Sequence, residues 1–217
     1  MTRRPRVLVA ALALAAVGCA GGSAPSRATR VTVPVEKTKT LVVMGTSATV
    51  GDGLDQQLKL QDAWPRIFYR NAFPRATVLL NAGVQDESTE DALRDQVPLV
   101  EEASPSIVAI WLGAVEASEQ RPVTQFAADL NGVVRRARAT GARVLLADLP
   151  PVAGIDIGAY NRVIARVAAD QGATLVPLHA QTISMLPGQA SAFLPDPAGH
   201  RVIARAFEDA LHRRPTN

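Results

Sequence analysis

The chain reads as a three-layer α/β domain, with a five-stranded parallel sheet between two layers of helix. Three observations lead there. Short, near-continuous runs of Val, Leu and Ile recur along the sequence; amphipathic stretches with a helical period separate them; and those stretches stop at glycine. Unbroken apolar runs imply strands buried on both faces, which is the situation of strands in a parallel sheet covered by helices. Strands alternating with helices are the pattern of an α/β fold with right-handed crossovers.

The five predicted strands are TLVVMG (Thr40 to Gly45), TVLLNAG (Thr77 to Gly83), IVAIWLG (Ile107 to Gly113), RVLLADL (Arg143 to Leu149) and TLVPL (Thr174 to Leu178). Helical spacing is clearest in FAADLNGVVRRARATGA, where Phe126, Leu130, Val133, Val134 and Ala137 share a face and Gly141 supplies a C-terminal stop. AYNRVIARVAADQGA turns Ile164, Val167 and Ala168 inward and stops at Gly172. PAGHRVIARAFEDALHRR closes the chain with Val202, Ile203, Ala206 and Leu211 as its apolar stripe. In such sheets ligands sit outside the carboxyl ends of the strands, so candidate site residues are those that follow each strand.

The start of the chain belongs to export rather than to the fold. Arg3, Arg4 and Arg6 precede the apolar run VLVAALALAAV, which is shorter than the about 20 residues a membrane-spanning helix needs. It ends in AAVGCAGGS, which resembles a bacterial lipobox with Cys19 as the lipidated residue, although Ala16 stands where Leu is commoner. The expected organisation is a signal peptide over 1–18, a lipidated N-terminus and flexible tether over 19–38, and a domain over 39–217. The expected location is the extracytoplasmic face of the cell membrane.

Charge follows the same division. The formal net charge of +3 comes from 23 basic and 20 acidic residues, and the signal segment holds three arginines and no acid, so removing it leaves 20 of each. No Lys/Arg cluster interleaved with aromatics occurs elsewhere, so no nucleic-acid partner is expected. Cys19 is the one cysteine, so no internal disulfide can form. No His/Asp/Glu set has recognisable metal-ligand spacing, and neither metal nor cofactor is expected.

Read at the strand ends, the chain offers Gly45-Thr46-Ser47, Asn81-Ala82-Gly83, Gly113-Ala114-Val115-Glu116, ADLPPV and finally LPDPAGHRVIA. In order and spacing these blocks resemble the SGNH (GDSL) hydrolases, esterases and lipases of flavodoxin-like fold, over nearly the whole mature domain. The resemblance implies Ser47 as nucleophile, with Thr46 in place of the family aspartate, and Gly51 as the later glycine of that block. It implies Ser47 and Gly83 as backbone oxyanion donors, but puts Val115 at the donor asparagine and Glu116 at the aspartate that usually follows. Aligned on SAFLPDPAGH, the family aspartate falls on Ser191 and the histidine on Leu194, while Pro195, Gly199 and His200 match. Leucine cannot take a proton from a serine. Loss of a triad member costs on the order of 10⁴ to 10⁶ in turnover, and loss of an oxyanion donor roughly 10² to 10³.

Two readings therefore stand. In one, the chain is a lipid-anchored pseudoenzyme or weakly active envelope protein that binds a small acyl ester, or an envelope glycan or lipid. In the other it is a serine esterase, lipase or acyltransferase that uses Ser47 with a substitute base from His179 or His200. Each residue also has a plainer reading: Ser47 as an inherited turn residue, His200 as a helix-start residue, His212 on a solvated face beside Arg213 and Arg214, and Trp64 and Trp111 as core or cleft wall. Asp52, Asp86, Glu87 and Glu116 lie near the expected cleft and are candidates for a carboxylate constellation, whereas GDG at Gly51 to Gly53 reads as a turn.

Overall fold

The computed structural model describes residues 39–55, 61–182 and 193–213. The predicted signal peptide, Cys19, the tether and Ser191 lie outside the described residues. The strands are β1 (Thr40–Gly45), β2 (Val78–Asn81), β3 (Ile107–Trp111), β4 (Arg143–Ala147) and β5 (Thr174–Val176), all parallel, in the order β2-β1-β3-β4-β5. The helices are α1 (Ser47–Val50), α2 (Trp64–Ala72), α3 (Thr89–Asp95), α4 (Val97–Ala103), α5 (Ala114–Ser118), α6 (Val123–Ala139), α7 (Gly158–Gln171), α8 (Leu178–Thr182) and α9 (Pro197–His212).

The central strands match their composition. Leu41 to Met44 of β1 and Val108 to Ile110 of β3 are wholly buried. β2 departs from the expectation of burial on both faces: it is an edge strand with β1 as its one neighbour, and Val78 is 51% exposed. β1 spans its predicted run, Thr40–Gly45, whereas β2 to β5 each end two residues before their runs do, because those last residues turn out of the sheet to begin the following loops.

α6 buries Phe126, Leu130, Val133, Val134 and Ala137, the face its spacing predicts. α9 starts where Asp196 accepts a hydrogen bond from Gly199 N at 2.7 Å, with Pro197 in the first turn, a combination that satisfies one free N–H and presets φ. Its buried stripe is centred on Ile203, Ala206, Phe207 and Ala210, so the predicted stripe is rotated: Val202 and Leu211 lie at its flanks. Phe207 dominates because it stacks on Trp64 of α2 at 4.5 Å and 9° between planes. Trp64 in turn meets Trp111 edge-on at 6.4 Å, which ties α2 and α9 to the end of β3. Among the described residues no helix is long and apolar enough to cross a membrane.

The strand order positions the site. The chain leaves β1 for β2 on one side and then crosses to β3 on the other. The loops after these three strands diverge around β1, and the crevice between them is where an open α/β sheet admits a ligand.

Candidate active site

Gly45, the last residue of β1, lies in close quarters: a methyl group there would come within 2.1 Å of Thr49 Oγ1 and 2.9 Å of the Trp111 carbonyl. Glycine lets the chain turn immediately into α1, with Ser47 as its first residue. Thr46 N-caps α1 without a side-chain hydrogen bond, and its buried Oγ1 has no partner among the described residues. Gly51 ends the turn at φ +87°, a left-handed conformation that glycine adopts without a Cβ clash.

Ser47 is half-buried at the wall of a pocket of about 180 Å³ lined also by Asp86, Trp111, Ala114, Val115 and Phe193. Ser47 Oγ donates to Asp86 Oδ1 at 2.7 Å, and the Asp86 N–H donates to Ser47 Oγ at 3.0 Å. Asp86 sits at φ +54°, a conformation uncommon for a residue with a side chain, and this is what turns both its N–H and its carboxylate toward the serine.

Gln96 braces this arrangement. Wholly buried, it accepts from Gly45 N at 3.0 Å through Oε1 and donates through Nε2 to Gly45 O at 2.9 Å and to Glu87 Oε2. One side chain thereby links the residue two before Ser47 to the residue after Asp86. Burial raises the pKa of the Glu87 carboxyl, with the Gln96 hydrogen bond acting in the opposite direction.

The residues singled out from sequence are distributed as follows. Ser47 is in the pocket, as is Val115, which stands half-buried in its wall as an apolar group. The Gly83 N–H points elsewhere: it donates to Asn81 Oδ1 at 3.1 Å, and a methyl on Gly83 would come within 2.8 Å of Thr49 Cγ2. Gly83 thus serves close packing, and the N–H that reaches Ser47 is that of Asp86. Leu194 lies beside the loop after α1, against Gly53, and its neighbour Phe193 lines the pocket. The position where a histidine was expected therefore follows a pocket-lining residue and holds a leucine.

The two histidines singled out as substitute bases are placed as follows. His200 is fully buried, and its Nδ1 accepts from Trp64 N at 3.1 Å. Desolvation lowers its pKa to about 4, against smaller opposite effects of Asp196 and Asp62. His179 belongs to α8 after β5, and β3 and β4 intervene between β5 and β1. Three strand spacings put it roughly 14 Å across the sheet from the end of β1. Its backbone N–H donates to Asp148 Oδ1 at 2.7 Å, and burial, more than offsetting that bond, raises the pKa of the Asp148 carboxyl.

The carboxylates do not form one constellation. Asp86 is on Ser47 and Glu87 on Gln96, while the buried Glu116 accepts from Thr89 N at 2.6 Å, which anchors the start of α3. Among the described residues no group of three His, Cys, Asp or Glu could hold a metal ion. Trp64 is core, Trp111 is both core and pocket wall, and His212 is exposed. Asp86 was visible in the sequence only as an acid near the cleft, and Gln96 carried no signal beyond being a polar residue beside the apolar VPLV.

A model of the GDSL-like Lipase/Acylhydrolase family matches residues 43–202. Esterase TesA of Pseudomonas aeruginosa is 28% identical over 159 residues, which cover 71% of this chain and 77% of that protein. A crystal structure of TesA matches with a TM-score of 0.66 at 26% identity, covering 80% of this chain and 98% of that one. The psychrotrophic esterase EstA from Pseudoalteromonas sp., in a structure inhibited by monoethylphosphonate, shares the fold with a TM-score of 0.66 at 21% identity, over 80% of this chain and 96% of that one.

Proposed function

The chain belongs to the GDSL-like lipase/acylhydrolase family, and on that premise we propose that it is an exported, lipid-anchored envelope protein whose Ser47 pocket binds a small acyl ester and turns it over only slowly. The observation that carries this reading is a Ser47 retained in a pocket that Phe193 also lines, while the next residue, Leu194, stands where the resemblance places the histidine. The nucleophile is in a pocket, and the imidazole that would activate it in the family pattern is replaced by an alkyl group. Val115 adds to the deficit, because its side chain cannot donate to an oxyanion, and Ser191 stands where the resemblance places the aspartate. The pocket volume of about 180 Å³ is below the roughly 300 Å³ at which drug-sized sites begin, which favours a short acyl group. A relative named as an esterase supports an ester as the ligand. The reading in which His179 or His200 supplies the base has less support, since one is held on Trp64 and the other lies across the sheet.

The test is hydrolysis of a short-chain p-nitrophenyl ester. With a typical enzyme turning over about 10 times per second and a triad member worth about 10⁴, the native chain is expected near 10⁻³ s⁻¹ or below. The triple variant Ser191→Asp, Leu194→His, Val115→Asn is expected to gain at least about 10². Native turnover near 10 s⁻¹ would refute the reading, as would a triple variant that folds but neither binds nor cleaves the ester.

A further inference from the structure

We propose that Asp86 is the general base of Ser47, the group that receives the serine proton when the hydroxyl attacks an ester. The inference rests on the ester-binding reading of the same pocket and adds to it the residue through which the remaining slow reaction runs.

Three observations converge on it. The 2.7 Å hydrogen bond from Ser47 Oγ to Asp86 Oδ1 is within the roughly 2.6 to 3.2 Å that a base needs. Asp86 holds φ +54° and uses that conformation to grip the same oxygen a second time through its N–H, so an uncommon backbone state is concentrated at the reacting atom. Gln96 then fixes the geometry from behind by clasping Gly45 and Glu87, one side chain serving both loops. The other titratable residue lining the pocket, Glu119, is engaged by Arg121 Nε at 2.7 Å.

The chemistry balances without a further reactant. As Ser47 Oγ bonds to the acyl carbon, its proton passes to Asp86 Oδ1. The bond from the acyl carbon to the alcohol oxygen then breaks, and the alcohol departs with that proton. Water next gives a proton to Asp86 while its oxygen bonds to the acyl carbon, and Ser47 Oγ leaves and recovers the proton. A carboxylate is a weaker base than an imidazole, which agrees with a slow reaction.

Labelling of the full chain with a fluorophosphonate tests the pair, because it reports attack by Ser47 without requiring deacylation. Native protein is expected to label at Ser47, and Ser47→Ala not at all. Asp86→Asn keeps a residue tolerant of positive φ and removes the base, so the labelling rate should fall by about 10² or more, with partial recovery in Asp86→Glu. Unchanged melting of Asp86→Asn shows that the fold is retained. If Asp86→Asn and Asp86→Gly label as fast as the native chain or faster, the carboxylate covers the serine instead of activating it and the proposal falls. Absence of native labelling at every pH overturns it equally, whereas the ester-binding reading fails separately, through the triple variant described above.

Discussion

Replacing His200 by Asn removes a titrating ring while keeping an oxygen where Nδ1 now accepts the Trp64 N–H. In the native fold that ring is fully buried and its Nε2, which must carry the proton of the neutral form, has no partner among the described residues. A second ring proton would have to be held in the same desolvated place, and the pKa accordingly falls to about 4. An unfolded histidine takes up its proton near 6.5. Between those values the unfolded chain binds a proton that the folded chain refuses, so stability is full above about 6.5 and declines as the pH drops toward 4. A difference of about 2.5 pKa units at 1.36 kcal/mol each amounts to about 3 kcal/mol. Urea unfolding at pH 7, 6, 5 and 4.5 measures it. The native chain should lose stability across this range more steeply than His200→Asn, by up to about 1.4 kcal/mol per pH unit. The variant can start lower because the smaller side chain leaves a void, but that offset is independent of pH. Parallel curves would refute the argument, since carboxylates shared by both proteins contribute equally to each.

Three further outcomes follow from the geometry. Gln96→Leu should destabilise the fold by roughly 1 to 3 kcal/mol in denaturant titration, because it takes the acceptor from the buried Gly45 N–H, while the Gly45 carbonyl keeps the Val84 N–H; a loss under about 0.5 kcal/mol would show that water replaces the side chain. Gly45→Ala should cost about 1 to 3 kcal/mol or more through overpacking on Thr49, and Thr49→Ala should recover part of it but not all, since the Trp111 carbonyl also stands in the way. For the proposed anchor, Cys19→Ser should move the protein from the membrane fraction to the soluble one, and an unchanged distribution would contradict lipidation.

The contrast between β1 and β2 illustrates how far composition reaches. Both read as apolar runs, and both are strands, because continuous branched and aliphatic residues satisfy the local requirement of a pleated, half-buried chain. Whether a strand is central or at the edge depends on strand order, and here β2 ended at the edge with Val78 exposed. The last helix makes the same point at finer scale. Its period and its Asp196-Pro197 start are local properties, but the rotation that brings Phe207 inward is set by the Trp64 ring it stacks on, more than 140 residues earlier.

By itself the sequence determined the α/β class, the five strands, the faces of α6 and α7, and the place of Ser47 just after β1. These follow from hydrophobic period, glycine punctuation and the identity of aligned residues, all of which are written locally along the chain. Only the tertiary structure decided that Gly83 spends its N–H on Asn81, that His200 turns to Trp64, and that Asp86 meets Ser47 from 39 residues away. Those outcomes depend on loop dihedrals such as the +54° at Asp86 and on the fold bringing Gln96 between two loops. No periodicity specifies either of them. Pairing across loops is settled when the buried polar groups of separate segments find partners in one packed interior.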